Sequence, residues 1–315
     1  MKRNSHSIIS FLKWSFYVLS SILICDIVFG SILRDSYFRQ TSGVHYRIDY
    51  AINHTKSDIV ILGSSRATHH YKPEVLAQRL NLDCFNAGMD GGSILYDLAL
   101  FKAMTQRYNP GVIIIDMIPH ALSYEQSSYE RLSVLNPYYK THPEIRSIVN
   151  LRSPIEEFKH FSKIYPFNSM VIQIVMGIIE RDNILETSLS GYVPLTGTID
   201  KSVPDTIAIG GRSVDPLKIK ALKEIISTCK LRQIDLYIIS SPVFHIMERN
   251  YYDSTVADIC SFNGITFVDM SNHSAFISSP EFFADGSHLN DIGADLFSSI
   301  IADELKNRLT LYAKK

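Results

Sequence analysis

Ser57-Asp58-Ile59-Val60-Ile61-Leu62-Gly63-Ser64-Ser65-Arg66 decides how this chain is read. Ile59–Leu62 is a continuous apolar run, the pattern of a central parallel strand buried on both faces. It stops abruptly at a small turn carrying two hydroxyls. The segments that follow keep a strand–helix rhythm. Pro73–Leu80 reads as a short helix with proline in its first turn. Leu82–Asn86 reads as a second strand, Gly91-Gly92-Ser93 as the lead into a helix ending near Arg107, and Val112–Met117 as a third strand. The rhythm returns with a helix over Asp215–Leu231, a strand over Ile234–Ser240, helix through most of Phe244–Phe262, a strand over Ile265–Asp269 and a closing helix over Asp291–Leu309. Such alternation predicts an α/β fold, a three-layer α/β/α domain with a central parallel sheet. Ligands of such sheets bind at the carboxyl ends of the strands. Ser65, Gly91, His120 and Ser241 all fall just after a strand end.

Residues 120–214 break the pattern. They are rich in Tyr, Pro and Ser, with one apolar helical stretch from Ser169 to Ile179. They read as an insertion packed over one end of the sheet, with a substrate lid and a structural cap both open as its role.

The N-terminus reads differently. Trp14 to Leu33 is almost wholly apolar, with Lys2, Arg3 and Lys13 before it and Arg34, Asp35 and Arg39 after it. About twenty residues at about 1.5 Å each match a hydrocarbon core of about 30 Å, so one N-terminal transmembrane helix is expected. The basic residues on its leading side predict a cytoplasmic N-terminus, with the rest of the chain periplasmic or extracellular. A cleaved signal peptide is the competing reading, opposed by Asp26 within the apolar run. A lipoprotein signal at Cys25 is opposed by branched Ile24 beside it. Asp26 is costly inside a span unless paired or near the surface. The expected plan is therefore a tip and anchor over 1–34, a polar stalk over 35–56, and an α/β domain over 57–315 with an insertion at about 120–214.

The chain has 315 residues and a net charge of −1, with no basic run or basic-aromatic stripe, which argues against nucleic acid as a partner. A hydrophobic fraction of 46% fits a globular domain plus one apolar span. Of four cysteines, Cys25 lies in the span; Cys84, Cys229 and Cys260 lack metal spacing, and a Cys229–Cys260 bridge is left open. Adjacent His69 and His70 point in different directions and make a poor metal pair. No metal and no cofactor are expected.

Three motifs carry chemistry. Ser65 sits at a strand-to-helix turn, where a base could activate its hydroxyl; as a bland alternative, Ser64 or Ser65 caps the helix. Asp285-Gly286-Ser287-His288 sets a carboxylate three residues from an imidazole, so that Asp285 could hold the Nδ1 proton and leave Nε2 as base. Asn86-Ala87-Gly88-Met89-Asp90-Gly91-Gly92-Ser93 puts glycines at a strand–helix junction, where backbone N–H groups can stabilise an oxyanion.

In this order the motifs resemble the SGNH, or GDSL-like, hydrolase superfamily, in a membrane-anchored bacterial form. The resemblance covers about residues 57–118 and 215–309. It implies Ser65 as nucleophile, His288 as base and Asp285 as orienter. It implies an oxyanion hole from Ser65 and Gly91, with His120 in Ile118-Pro119-His120-Ala121 standing where the family carries asparagine. Arg66 and Asn86 are placed as substrate contacts, with a structural ion pair the alternative for Arg66. The resemblance implies a serine esterase acting on a small acyl ester or an ester-bearing cell-envelope or extracellular glycan. Two alternatives remain: an O-acyltransferase for surface polysaccharide served by a membrane acyl-transfer partner, and a non-catalytic glycan-binding or assembly protein that keeps the fold.

Overall fold

The computed structural model describes residues 2–118, 120–179, 190–200, 206–207, 213–247 and 251–308. Along the chain run the helices α1 (Lys2–Phe38), α2 (Ser65–His70), α3 (Pro73–Leu80), α4 (Ile94–Arg107), α5 (Val171–Ile179), α6 (Pro216–Arg232), α7 (Tyr251–Asn263) and α8 (Asp291–Lys306). The chain divides into two compact units. One is Met1–Thr41 with Ser133–Asp182; the other is Ser42–Leu132 with Asn183–Lys315.

The larger unit is built on β1 (Ile59–Gly63), β2 (Cys84–Asn86), β3 (Val112–Asp116), β4 (Asp235–Ser240) and β5 (Thr266–Asp269). All pair in parallel, in the order β2-β1-β3-β4-β5. This is a doubly wound order, with its topological switch between β1 and β3. Ile59 to Leu62 and Val112 to Ile115 are all fully buried, because helices cover both faces and no position of these strands meets water. Successive side chains alternate between faces. Ile59, Ile61 and Ile114 share a core with Tyr71, just past the end of α2, and with Ala67, Leu76, Phe297, Ile301 and Leu305 from α2, α3 and α8. α4 and α6 pack together against β1 and β4 on the other face. Each fully buried large aliphatic side chain contributes about 1.5–3 kcal/mol. The fold is thus three-layered α/β/α. Its register sets Gly63 opposite Asp116, and Asp116 opposite Ile239, so three strands end level at one rim.

Local signals start and stop the helices that frame this rim. Asp215 accepts from the Leu217 N–H ahead of α6, with Pro216 in the first turn, and Asn290 accepts from the Gly293 N–H ahead of α8. These caps satisfy backbone donors that a helix start leaves unpaired.

Several sequence expectations need correction. Residues 35–56 are no polar stalk. α1 runs to Phe38, and helical turns over Gly43–Asp49 and Tyr50–His54 bury Ile48, Ala51 and Ile52. Arg107 donates to the carbonyl oxygens of Ala51, Ile52 and Thr55. Those three apolar residues are spaced for one helix face, a short signal hidden among tyrosines and histidines. Phe244 does not open a helix; it is buried in the loop after β4, its N–H bonded to the Gly286 carbonyl. α7 begins at Tyr251, and 248–250 lie outside the described residues. So does Leu309, the expected end of α8. Cys229 and Cys260 are buried free thiols with no bridge.

In the smaller unit, α1 holds a stretch, Ile8–Phe38, long and apolar enough to cross a membrane. One stripe of it, Asp26, Gly30 and Tyr37, is covered by residues 133–182. The Tyr37 and Tyr138 hydroxyls lie 3.2 Å apart, and the Tyr37 ring sits 5.7 Å from that of Phe167. Asp26 accepts hydrogen bonds from Ser162 Oγ at 2.5 Å, the Lys163 N–H at 2.7 Å and the Ile164 N–H at 3.2 Å.

Candidate active site

β1 can deliver a side chain to the rim because it ends in glycine. Gly63 has φ +136°, and a Cβ there would lie 2.7 Å from the Asp116 carbonyl oxygen. Only glycine adopts that backbone without strain while leaving room for β3. Ser64 follows in extended conformation, and Ser65 is the first residue of α2. Gly88, in the loop after β2, lies so close to α2 that a Cβ would stand 2.6 Å from the Thr68 nitrogen.

The turn before α8 comes to the same place. His288 Nε2 lies 2.8 Å from Ser65 Oγ. His288 Nδ1 lies 2.9 Å and 3.0 Å from the two Asp285 oxygens. The same carboxylate accepts the N–H of Ser287 at 2.7 Å and of His288 at 3.0 Å. Burial works against the charge on Asp285, but the hydrogen bonds from the His288 ring and the Ser287 amide outweigh it and hold the carboxyl below its ordinary range. An ionised carboxylate only accepts, so Nδ1 must carry the proton. In the neutral ring Nε2 is then the acceptor, and the Ser65 hydroxyl donates to it. This is the geometry of an activated alcohol.

A layer of buried polar groups holds these three in place. His70 is buried; its Nε2 accepts the Leu289 N–H at 3.1 Å and its Nδ1 donates to Ser241 Oγ at 2.9 Å. Burial, with Arg66 and His288 nearby, keeps His70 neutral, well below the usual histidine range. Asp116 accepts from Tyr71 Oη at 2.8 Å and from the Ser241 N–H at 3.2 Å. Asp97 accepts the Gly63 N–H at 3.0 Å, and burial pushes its carboxyl up to about 8.

Arg66 and Asn86, expected as substrate contacts, are both buried and engaged with backbone carbonyls. The Arg66 guanidinium is buried, donates to the carbonyls of Ser241 and Met117, and lies 3.5 Å from Asp116. It ties together the ends of β3 and β4. Asn86 is fully buried, donating to the Ala67 and Tyr71 carbonyls and accepting the Gly88 N–H, which fixes the loop behind α2.

Gly91 has φ +69°, and the space a Cβ would take is filled by the Arg131 guanidinium, which donates to the Asp90 carbonyl at 3.3 Å. Asp90 faces His69 at 3.3 Å; that hydrogen bond is the main reason its carboxyl is depressed. His120 lines a cavity of about 40 Å³ with Ser64, Gly92, Asp97, Asp116 and Lys218. That is room for a few waters. The His120 ring stands 4.0 Å from Glu125.

His70, Asp97, Asp116 and Arg131 escape the sequence reading as parts of this site. Asp116 had a usable signal, an acid closing an all-apolar strand. His70 had none beyond its neighbour His69.

No protein-family model matches the chain, and neither does any curated protein. Among solved structures, a protein from Desulfitobacterium hafniense DCB-2 assigned to a lipolytic G-D-S-L family is similar at 10% identity and a TM-score of 0.40, over 78% of this chain and 97% of its own.

Proposed function

We propose that the chain is an SGNH-type serine esterase that cleaves O-acyl esters, anchored to a membrane by α1. The observation that carries this reading is the continuous relay from Asp285 through His288 to Ser65 Oγ, with the base 2.8 Å from the hydroxyl.

Ser65 Oγ attacks the ester carbonyl carbon as its proton passes to His288 Nε2. The resulting imidazolium is stabilised by Asp285, which keeps Nδ1–H in place throughout. The carbonyl oxygen becomes an oxyanion, received by the backbone N–H groups of Ser65 and Gly91, with His120 as a third donor. Collapse expels the alcohol, which takes the proton from Nε2 and leaves Ser65 acylated. Water then attacks the acyl carbon, gives its proton to Nε2, and the released Ser65 alkoxide takes that proton back. The Asp285 side chain is more than half exposed and that of His288 about a quarter, which supports access for water and for a bulky alcohol such as a glycan. The basic residues Lys2, Arg3 and Lys13 ahead of α1 support an orientation with the site outside the cytoplasm. An O-acylated envelope or extracellular glycan is the substrate class we assign.

The test is turnover of p-nitrophenyl acetate together with labelling by a fluorophosphonate. Wild-type protein is expected to label at Ser65 and to hydrolyse the ester. Ser65→Ala should lose the label and at least about 1,000-fold in kcat. Unchanged turnover in that variant would refute the mechanism.

A further inference from the structure

The smaller unit carries apolar surface that its own fold leaves uncovered. On α1, Ile27, Val28, Phe29 and Ile32 are all between 46% and 56% exposed, away from the stripe of Asp26, Gly30 and Tyr37. In the adjoining segment Phe158 and Phe161 are 69% and 76% exposed. The residues directly after them, Ser162 to Ile164, are the ones that hold Asp26. Those bonds set the level of the turn along α1. Asp26 lies seven residues before Leu33, the last residue of the apolar run. At about 1.5 Å per residue the turn reaches about 10 Å back along that run.

Non-helical backbone can lie at such a level only if its polar groups are satisfied without water. The backbone N–H groups from Lys159 to Ile164 meet that condition. The N–H groups of Lys159, His160, Phe161 and Ser162 bond to the carbonyls of Ile155, Glu156, Phe158 and Lys159. The next two, on Lys163 and Ile164, have Asp26 as their acceptor. An acid within an apolar helix is costly when unpaired. Here it accepts three hydrogen bonds from a neighbouring turn. The exposed aromatics directly precede in sequence the residues bonded to Asp26, and Asp26 directly precedes the exposed Ile27, Val28 and Phe29 of α1. Lys163 in the same turn is exposed and long enough to carry its ammonium towards anionic headgroups.

We propose that the turn over residues 158–164 enters the lipid leaflet beside α1, with Phe158 and Phe161 among the acyl chains, so that the protein grips the bilayer at two points. The occupant of this surface is lipid. The proposal rests on α1 being a membrane helix, and the experiment separates the two.

Trp14 is the one tryptophan in the chain, so in the wild-type protein it reports α1. The double variant Trp14→Phe/Phe161→Trp moves the reporter to the turn by an aromatic exchange at an exposed site. Both full-length proteins are reconstituted into phosphatidylcholine vesicles with acyl chains brominated at carbons 6 and 7, and into unbrominated ones. We expect brominated lipid to lower the emission of both reporters at least two-fold, with acrylamide a poor quencher of each. Quenching by bromine at position 14 but not at position 161 overturns the proposal and leaves the anchor standing. It does so whether acrylamide reaches the introduced tryptophan, which places it in water, or fails to, which places it under protein. Absence of bromine quenching at position 14 removes the anchor and the proposal with it.

Discussion

The backbone N–H of Leu289 donates to His70 Nε2 at 3.1 Å, which fixes the proton of His70 on Nδ1 and points it at Ser241 Oγ. A buried neutral imidazole therefore links α2 to the turn that carries His288.

His70→Ala should strand the Leu289 amide and the Ser241 hydroxyl inside the protein. An unmet buried donor costs about 1–3 kcal/mol. We expect a lowered urea midpoint, and a fall in kcat of about 10-fold or more with KM little changed, because the binding surface stays while the base loses its support. Steady-state kinetics and urea melts on one preparation read both.

Acid should destabilise the protein from an unusually high pH. Burial holds His70 well below its ordinary value of 6.5 and His45 at about 4. When pH falls below about 6.5 the unfolded chain takes up protons on these rings that the folded chain refuses. The stability they contribute is thus present above about 6.5 and lost on the way down, at up to about 1.4 kcal/mol per pH unit for each ring. Melting temperatures at pH 7.5 and pH 5 should differ in wild type, and by less in His45→Gln.

Asp97 acts with the opposite sign. Its carboxyl moves from an ordinary 3.8 up to about 8 on folding. The folded protein then holds a proton that the unfolded chain has released, so its contribution is complete below about 3.8 and is lost as pH rises to about 8. Asp97→Asn keeps an acceptor for the Gly63 N–H and removes the titration. Relative to wild type, this variant should gain stability between pH 5 and pH 9, read by denaturant melts at the two values.

Asp285→Asn should lower kcat by about 100- to 10,000-fold. An amide can donate to Nδ1, which would move the ring proton to Nε2 and leave nothing to accept from Ser65. The side chain is largely exposed, so the melting temperature should hardly move. A kcat loss with unchanged melting is the signature to look for.

Arg66→Met should act on stability. The change leaves Asp116 buried beside an apolar side chain, and breaking a buried ion pair costs about 3–5 kcal/mol. Arg66→Met/Asp116→Leu should be less destabilised than the two single losses added together. A substrate contact would behave otherwise, raising KM in a protein of normal stability.

Much of this was legible because it rests on local patterning. The all-apolar runs at Ile59–Leu62 and Val112–Ile115 mark central strands whatever surrounds them, and the spacing of Asp285 and His288 survives in any tight turn. What stayed hidden depends on distant partners. Arg66 looks like a side chain aimed at substrate until β3 and β4 converge on it with Met117 and Ser241. Residues 43–54 look polar because tyrosines and histidines interrupt the three apolar positions that are buried. Asp26 looks like a flaw in a span until a turn more than a hundred residues later supplies its donors. One-dimensional periodicity carries no information about such encounters.

His288 and Asp285 ride on a single turn, with the carboxylate bound to the ring and to the backbone amides of Ser287 and His288. Motion of that turn carries both groups together, so their mutual alignment survives displacement and one separation alone, that to Ser65, has to be policed by the rest of the molecule. On the mechanism proposed above, loosening the α8 entrance should accordingly leave the esterase intermittently silent yet fully competent whenever the turn is seated, in place of uniformly impaired.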